Sequence, residues 1–91
     1  MYEVFYTNRF KKDMKRCHKK GLPLSEIDTV VKKLRVNDPL SEKYKRHSLK
    51  GDYVNCEECH IRPDWLLIFK IHKDVSELEL IRTGSHSDLF N

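Results

Sequence analysis

The stretch LKGDYVNCEECHIRPDWLLIFKIHKDVSELELIR, residues 49–82, decides the fold. Its centre, Trp65–Ile71, is nearly all apolar, as expected for a central strand covered on at least one face. Leu49–Cys56 before it and Leu78–Arg82 after it also have the composition of strands. The connections between the three segments are too short for a crossover helix, so the segments are predicted to form an antiparallel meander.

A strand and two amphipathic helices are predicted upstream of the meander. Tyr2–Tyr6 has the aromatic and β-branched composition of a first strand. Thr7 or Asn8 could cap the first helix, and Ser25 could cap the second. Apolar residues recur at helical spacing in both helices. They are Phe10, Met14 and Cys17 in the first helix, and Ile27, Val30, Val31 and Leu34 in the second.

The element order β-α-α-β-β-β predicts a single α+β domain over residues 1–91. The two N-terminal helices would pack on one face of an antiparallel sheet. The other face would stay partly free for binding. After the last strand, Ser85 could cap a short C-terminal helical turn.

Composition and charge narrow the class of protein. The 91-residue chain has 38% hydrophobic and 35% charged residues, a balance typical of a small soluble domain. Its apolar runs are only strand-sized and its N-terminus lacks a signal-peptide core, so we expect a cytoplasmic protein without membrane contact. The net charge is +4, which favours polyanions or an acidic protein as partners. The basic residues concentrate in two groups, Lys11, Lys12, Lys15, Arg16, Lys19 and Lys20, and Lys43, Lys45, Arg46 and Lys50.

The three cysteines are too few, and odd in number, for a disulfide scaffold. Cys56 to His60 matches the C-x-x-C-H pattern of covalent haem attachment, but no export signal accompanies it. A zinc module built from Cys56, Cys59, His60 and His47 is an alternative that the residues leave open. Cys17 is interpreted as helix core.

Acid–base residues gather in the second half of the chain. His47, His60 and His86 stand at the ends of segments, where side chains can converge, and Asp64 follows His60 closely. Histidine is the side chain best suited to moving protons near neutral pH. In a basic chain, this set favours a protein that acts on phosphate esters. A plainer interpretation, as a surface or hydrogen-bonding residue, is preferred for the other two histidines, His18 and His72.

The motifs around these residues resemble those of a known family. They are HSLKG at 47–51, ECHIRPDWLL at 58–67 and RTGSHSDLF at 82–90. Together with the element order, they resemble the YafQ-type branch of the RelE/ParE toxin superfamily. The resemblance implies a RelE-like fold and a type II toxin that acts as an mRNA interferase, cutting mRNA in the ribosomal A site. It also implies a cognate antitoxin as partner, with operator DNA bound only through the toxin–antitoxin complex.

The resemblance implies functional roles for His47, His60, Asp64, His86 and Phe90. Glu58 stands where relatives often have Asp, so the carboxylate is kept but lengthened. RNA can be cut without a metal or cofactor, because its own 2′-OH can attack the adjacent phosphate while a base and an acid move the protons. The hypothesis assigns catalysis to His47 as base, His86 as acid, Asp64 and His60, and RNA or phosphate binding to Lys50, Glu58, Arg82 and Phe90. The acid and base labels could be exchanged.

Two rival functions share this fold or these residues. ParE-like members of the superfamily are binding proteins that poison DNA gyrase, and they lack this acid–base set. A degenerate toxin that still binds its antitoxin but no longer cuts RNA would keep the same sequence motifs. The zinc module is the third alternative.

Overall fold

The structure is a computed structural model that describes residues 1–90, so Asn91, the last residue of the predicted domain, lies outside it. Residues 1–90 form five strands and three helices, with two 3-10 turns at Glu42–Tyr44 and Gly51–Tyr53. In chain order the elements are β1 (Glu3–Tyr6), α1 (Asn8–Lys19), α2 (Ser25–Arg35), β2 (His47–Ser48), β3 (Glu57–Arg62), β4 (Trp65–His72), β5 (Glu77–Gly84) and α3 (His86–Phe90).

The strands form one sheet in the order β1-β5-β4-β3-β2. Neighbours from β2 to β5 are antiparallel, which confirms the predicted meander. β1 runs parallel to β5, so the sheet is mixed rather than wholly antiparallel. The parallel register pairs Val4 with Leu78 and turns Val4 toward the core beneath the helices. The α+β architecture is as predicted, with this one change of strand direction.

The strand predicted at Leu49–Cys56 is wrong. Only His47–Ser48 pairs there, and the chain then bends through the 3-10 turn at Gly51–Tyr53. Gly51 and Asn55 both have left-handed backbone angles, with φ of 67° and 68°, which a continuous strand does not accommodate. The strand that pairs with β4 is instead β3, whose acidic and histidine residues hid its alternation.

The main core lies between the sheet and the two N-terminal helices. α1 contributes Phe10 and Cys17, and α2 contributes Ile27, Val30 and Leu34. The opposite face carries a smaller cluster in which Leu66 and Ile68 meet Leu89 of α3. The prediction that both helices pack on one face is confirmed. α3 covers part of the other face and so brings His86 to the sheet.

The helix caps follow the predictions at two of three ends. Thr7 Oγ1 accepts from Phe10 N at 2.9 Å and caps α1. Ser85 Oγ accepts from Asp88 N at 3.1 Å at the start of α3. The predicted cap at Ser25 is wrong, because α2 already begins there and Leu24 occupies the cap position without a side-chain bond. Within residues 1–90, no helix is both long and apolar enough to cross a membrane.

Candidate active site

Three histidines form a row on one surface of the domain. His47 begins β2, His60 lies in β3, and His86 begins α3. The ring centroids of His47 and His60 are 6.2 Å apart, and those of His60 and His86 are 5.9 Å apart. The sheet register explains the alignment, because His60 pairs with Leu66 and Leu66 pairs with Gly84, two residues before His86. Residues from three separate motifs are thus brought together, with His60 in the middle.

Glu58 is the carboxylate shared by the first two histidines. It pairs with His47 in the β2–β3 register, and its side chain is buried, with the whole residue 3% exposed. Its Oε1 lies 3.4 Å from His47 Nε2 and 3.6 Å from His60 Nε2. Its other oxygen, Oε2, is buried without a hydrogen-bond partner among the described residues. Glu58 therefore faces the two imidazoles rather than the solvent.

Backbone carbonyls fix the orientation of both rings. His47 Nδ1 lies 2.7 Å from the Lys45 carbonyl oxygen, and His60 Nδ1 lies 3.2 Å from that of Pro63. A carbonyl oxygen only accepts, so each Nδ1 carries its hydrogen and donates. Each Nε2 then points to the same carboxylate oxygen. Such a contact is attractive only when a proton lies on one of the two partners, so these three groups form a unit suited to holding and passing protons.

His86 has a carboxylate partner of its own. Asp64 Oδ1 accepts from the His86 backbone N at 3.0 Å and from Nδ1 at 2.7 Å. Both bonds lower the pKa of Asp64, and the bond from the His86 backbone is the larger cause. The side chain of Asp64 is 68% exposed and that of His86 is 56% exposed. Asp64 thus orients the ring and leaves Nε2 of His86 free to exchange a proton with a substrate.

A network of ion pairs holds α3 against α1. Asp88 Oδ2 accepts from Ser85 N at 3.0 Å and lies 3.5 Å from Arg16 Nε and 3.4 Å from Lys20 Nζ. Arg16 Nη2 also donates to the Thr83 carbonyl oxygen at 2.9 Å. The backbone bond from Ser85 is the largest cause that lowers the pKa of Asp88. This network fixes the start of α3 and with it the position of His86.

Gly84 is required by the close approach of α1 to the last strand. Its φ is 156°, in the region that favours glycine, and a Cβ there would lie 2.5 Å from Arg16 Nη2 and 2.9 Å from Asp88. The glycine of the RTGSH motif therefore lets the arginine reach the backbone beside His86.

Arg82 is not presented to solvent. It is 6% exposed, and its Nε and Nη2 donate to Asp13 at 2.7 and 3.1 Å. Asp13 also accepts from Thr83 N at 3.1 Å and from Arg16 Nη1 at 3.0 Å. Burial alone would raise the pKa of Asp13, but the bonds from Arg82 and Thr83 and the arginine charges outweigh it, and the pKa is lowered. Asp13 was not predicted to have a role, although a lone carboxylate between Phe10 and Cys17 on the buried stripe was the available signal.

Aromatic residues connect Arg82 to the histidine row. Arg82 Nη1 lies 3.4 Å from the Tyr53 hydroxyl, and the Tyr53 ring meets Phe90 edge-on at 5.8 Å between centroids. Phe90 is exposed and lies 6.4 Å from the His86 ring. Of the four residues predicted to bind RNA, Phe90 and Lys50 are exposed, whereas Glu58 and Arg82 are buried.

The two cysteines of the C-x-x-C-H pattern lie on opposite faces of the sheet. Cys59 is buried beneath the N-terminal helices, and burial raises its pKa to about 12. Cys56 packs with Leu66 and Ile68 on the other face. Residues three apart in extended chain point to opposite sides, so the two sulfurs cannot share a metal with His60. The zinc module is therefore wrong. Within residues 1–90, no group of three or more histidine, cysteine or acidic side chains is arranged to hold a metal ion.

The family model of the bacterial YafQ toxin of type II toxin–antitoxin systems matches residues 2–91. The chain belongs to the YafQ toxin family. The mRNA interferase toxin YafQ of Escherichia coli K12 is 32% identical over 89 residues, which is 97% of this chain and 95% of that protein. These matches confirm the family that the three motifs indicated.

Solved structures with the YafQ fold agree with the architecture. A metal-bound toxin from Helicobacter pylori is 42% identical, with a TM-score of 0.93, covering 99% of this chain and all of the other. YafQ in the E. coli DinJ–YafQ complex is 30% identical, with a TM-score of 0.90 and complete coverage of both chains. The predicted fold class is confirmed by these similarities.

Proposed function

We propose that this chain is the toxin of a type II toxin–antitoxin system and acts as an mRNA interferase, a metal-independent endoribonuclease. The observation that carries the proposal is the row of His47, His60 and His86 with a carboxylate partner at each end, Glu58 and Asp64. The E. coli YafQ relatives, similar over nearly their whole length, bear the name mRNA interferase toxin. A gyrase-poisoning function would not need this set of acid–base groups.

His47 would act as the general base. With its Nδ1 bonded to the Lys45 carbonyl, its Nε2 would take the proton of the attacking 2′-OH. The hydroxyl would approach this nitrogen beside Glu58 Oε1, which lies 3.4 Å from it, and the carboxylate charge would stabilise the protonated ring. His60, in contact with the same carboxylate, would hold the phosphate between the two outer histidines.

His86 would act as the general acid. Its Nε2 would donate a proton to the leaving 5′-oxygen, while Asp64 holds the other side of the ring. General acid and base catalysis each contribute roughly 10²–10⁴-fold. Neutralisation of the phosphate by Lys50 and by His60 would add an electrostatic contribution. The chemistry needs no other group, because the nucleophile belongs to the RNA.

The proposed roles of Arg82 and Glu58, which are both buried, differ from the sequence-based hypothesis that they bind RNA or phosphate. Arg82 is bonded to Asp13 and would support the site from below through Tyr53, rather than meet the phosphate itself. Glu58 would orient and charge-balance the histidines, because a buried carboxylate beside a phosphate would repel it. Phe90 would stack on a nucleobase next to the scissile bond, a contact worth about 1–3 kcal/mol.

A cognate antitoxin is the proposed protein partner. The E. coli YafQ relatives form complexes with DinJ. We expect the antitoxin of this system to neutralise the toxin, and the pair to contact operator DNA through the antitoxin. The proposed substrate is mRNA in the ribosomal A site.

A cleavage assay tests this function. Purified wild-type protein and His86→Ala are incubated with mRNA, with and without programmed ribosomes, in the presence of a chelator that removes transition metals but leaves the ribosomes their Mg²⁺. We expect wild type to cut only with ribosomes, to leave 2′,3′-cyclic phosphate ends, and to ignore the chelator. His86→Ala should lose roughly 10²–10⁴-fold in rate. His72→Ala is the matched control, because His72 bonds Glu79 away from the row. Absence of cutting by wild type in every condition would refute the proposal.

A further inference from the structure

A pocket of about 570 Å³ opens beside the histidine row. It lies between α2, the 3-10 turn at Glu42–Tyr44 and the end of β3. Its lining includes Thr29, Lys43, Tyr44, Lys45, His60 and Arg62, whereas neither His86 nor Phe90 lines it. The volume is within the range of small-molecule sites, about 300–1,000 Å³.

The lining combines an aromatic wall with cations. Tyr44 is partly buried against the main core, so its ring is held in place. Lys43 Nζ lies 5.0 Å from that ring, and Lys45 is exposed beside it. A flat ring next to ammonium groups suits a nucleobase joined to a phosphate.

Glu26, the one carboxylate that lines the pocket among the described residues, is already neutralised. Glu26 accepts from Arg62 Nε at 3.1 Å and from Arg62 Nη2 at 2.5 Å, in a bidentate pair that joins α2 to the end of β3. The pair lowers the pKa of Glu26, so that carboxyl stays ionised and bound to the arginine. The two lysines therefore determine the charge that a bound nucleotide meets.

His60 connects the pocket to the proposed reaction centre. His60 lines the pocket, and its ring lies 5.9 Å from the ring of His86, which in turn is 6.4 Å from the Phe90 ring. The pocket and Phe90 thus adjoin different members of the row. A strand with its scissile phosphate at His60 would have one neighbouring nucleotide at Phe90 and the other at the pocket.

We propose that this pocket binds the nucleotide on the 5′ side of the scissile phosphate, with its base against Tyr44 and its phosphate near Lys43 and Lys45. The orientation rests on the proposed function, in which His86, on the Phe90 side, protonates the leaving 5′-oxygen. The nucleotide that carries the attacking 2′-OH then lies at the other side of His60. The pocket would give the enzyme a base preference at that position.

The test uses an RNA oligonucleotide that cannot be cut because the attacking nucleotide is 2′-deoxy. On addition to labelled wild-type protein, the amide signals of Thr29, Lys43 and Tyr44 should shift together with those of the histidine row. Thr29→Trp, which fills the pocket, should weaken binding about tenfold. Asp28→Trp is the matched control, because Asp28 is exposed on the same helix and does not line the pocket, and it should change binding by less than about twofold.

Abasic substitutions locate the nucleotide. Removal of the base on the 5′ side should weaken binding to wild type about tenfold and leave binding to Thr29→Trp almost unchanged, because the contact is already lost. Removal of the base on the 3′ side should weaken both proteins equally. In cleavage, Thr29→Trp should raise KM and spare kcat.

Three results would overturn the pocket assignment. The amide signals of the pocket residues would not shift when the RNA binds, or Thr29→Trp would bind the RNA as tightly as wild type does. In the third case, Thr29→Trp would bind the antitoxin more weakly and show no change toward RNA. Failure of the proposed function is distinguishable from these results. Wild type that binds the RNA through the pocket but never cuts refutes cleavage alone, and wild type that cuts while Thr29→Trp behaves normally refutes the pocket alone.

Discussion

The carboxylate of Asp64 is open to solvent, whereas that of Glu58 is buried under the two histidines that it serves. The side chains are 68% and 5% exposed, respectively. Asp64 makes two hydrogen bonds to His86, and its side chain has no other hydrogen-bond partner among residues 1–90. Glu58 faces two rings at once with one oxygen, and within the described part of the chain the other oxygen has no hydrogen-bond partner.

The difference indicates two ways of supporting a histidine. An exposed ion pair contributes little energy because water screens it, so Asp64 can orient His86 without restricting substrate access. A buried, incompletely bonded carboxylate costs stability, and such a cost usually marks a functional site. We therefore expect Glu58 to matter more for activity than Asp64, and to matter little for folding.

Asp13 extends the comparison of Asp64 with Glu58. It is buried like Glu58, but both of its carboxylate oxygens accept hydrogen bonds. Asp13→Asn would leave the Arg82 charge without its partner and should lower the free energy of unfolding by about 3–5 kcal/mol at neutral pH. Chemical denaturation measures this value. Asp28→Asn, at an exposed position on α2, is the control and should stay within about 0.5 kcal/mol. A loss in Asp13→Asn no larger than the control's would contradict the structural role.

The contribution of Asp13 should depend on pH in a defined direction. Its pKa in the folded protein is below the ordinary value of 3.8. The unfolded chain therefore takes up the proton first as the pH falls, and the stabilisation is present above about pH 4 and lost below it. The difference between wild type and Asp13→Asn should accordingly be constant near neutrality and shrink only in acid.

Glu58→Gln should reduce cleavage about 10–100-fold, the range seen when a group that orients a functional histidine is lost. The amide keeps the shape of the side chain but removes the negative charge that the His47 and His60 rings face. The free energy of unfolding should change by less than about 1 kcal/mol, because removal of a costly buried charge offsets the loss of its contacts with the two rings. Single-turnover cleavage and denaturation of the same protein check both parts. If Glu58→Gln cuts as fast as wild type but is less stable, Glu58 serves folding rather than activity.

Asp64→Asn should have the smallest effect, less than about tenfold in cleavage. The amide oxygen can still accept both bonds from His86, so only the charge is removed. Asp64→Ala, which removes the acceptor as well, should be slower than Asp64→Asn. If Asp64→Asn loses as much activity as Glu58→Gln, the proposed distinction between exposed and buried carboxylates fails.

The sequence predicted the helices, the meander and the residues that meet in the row, because each depends on local pattern or on a contiguous motif. The position of β3 was not predictable from alternation, since Glu58 and His60 occupy its site face and Glu57 begins the opposite face, where apolar residues were expected. The parallel pairing of β1 follows from a connection of seventy residues, and no local signal fixes its direction.

Contacts across the chain explain the other differences. Asp13 and Arg82 are 69 positions apart, so nothing near Arg82 indicated that it would be buried and bonded. The sequence predicted that Arg82 binds phosphate, because an arginine at the start of the RTGSH motif is equally suited to that role. Likewise, the sequence left a zinc module open because it shows the spacing of Cys56 and Cys59 but not the faces on which they lie, and the extended backbone turns them to opposite sides of the sheet.

The assignment of His47 as general base and His86 as general acid is tested most directly with an RNA whose leaving 5′-oxygen is replaced by sulfur. A thiolate is a far better leaving group than an alkoxide and needs no proton from the enzyme. In single-turnover cleavage, His86→Ala should be slow on the oxygen substrate and come within about tenfold of wild type on the sulfur substrate. His47→Ala should stay slow on both. Rescue of His47→Ala instead, or of neither variant, would contradict the assignment of His86 as the general acid.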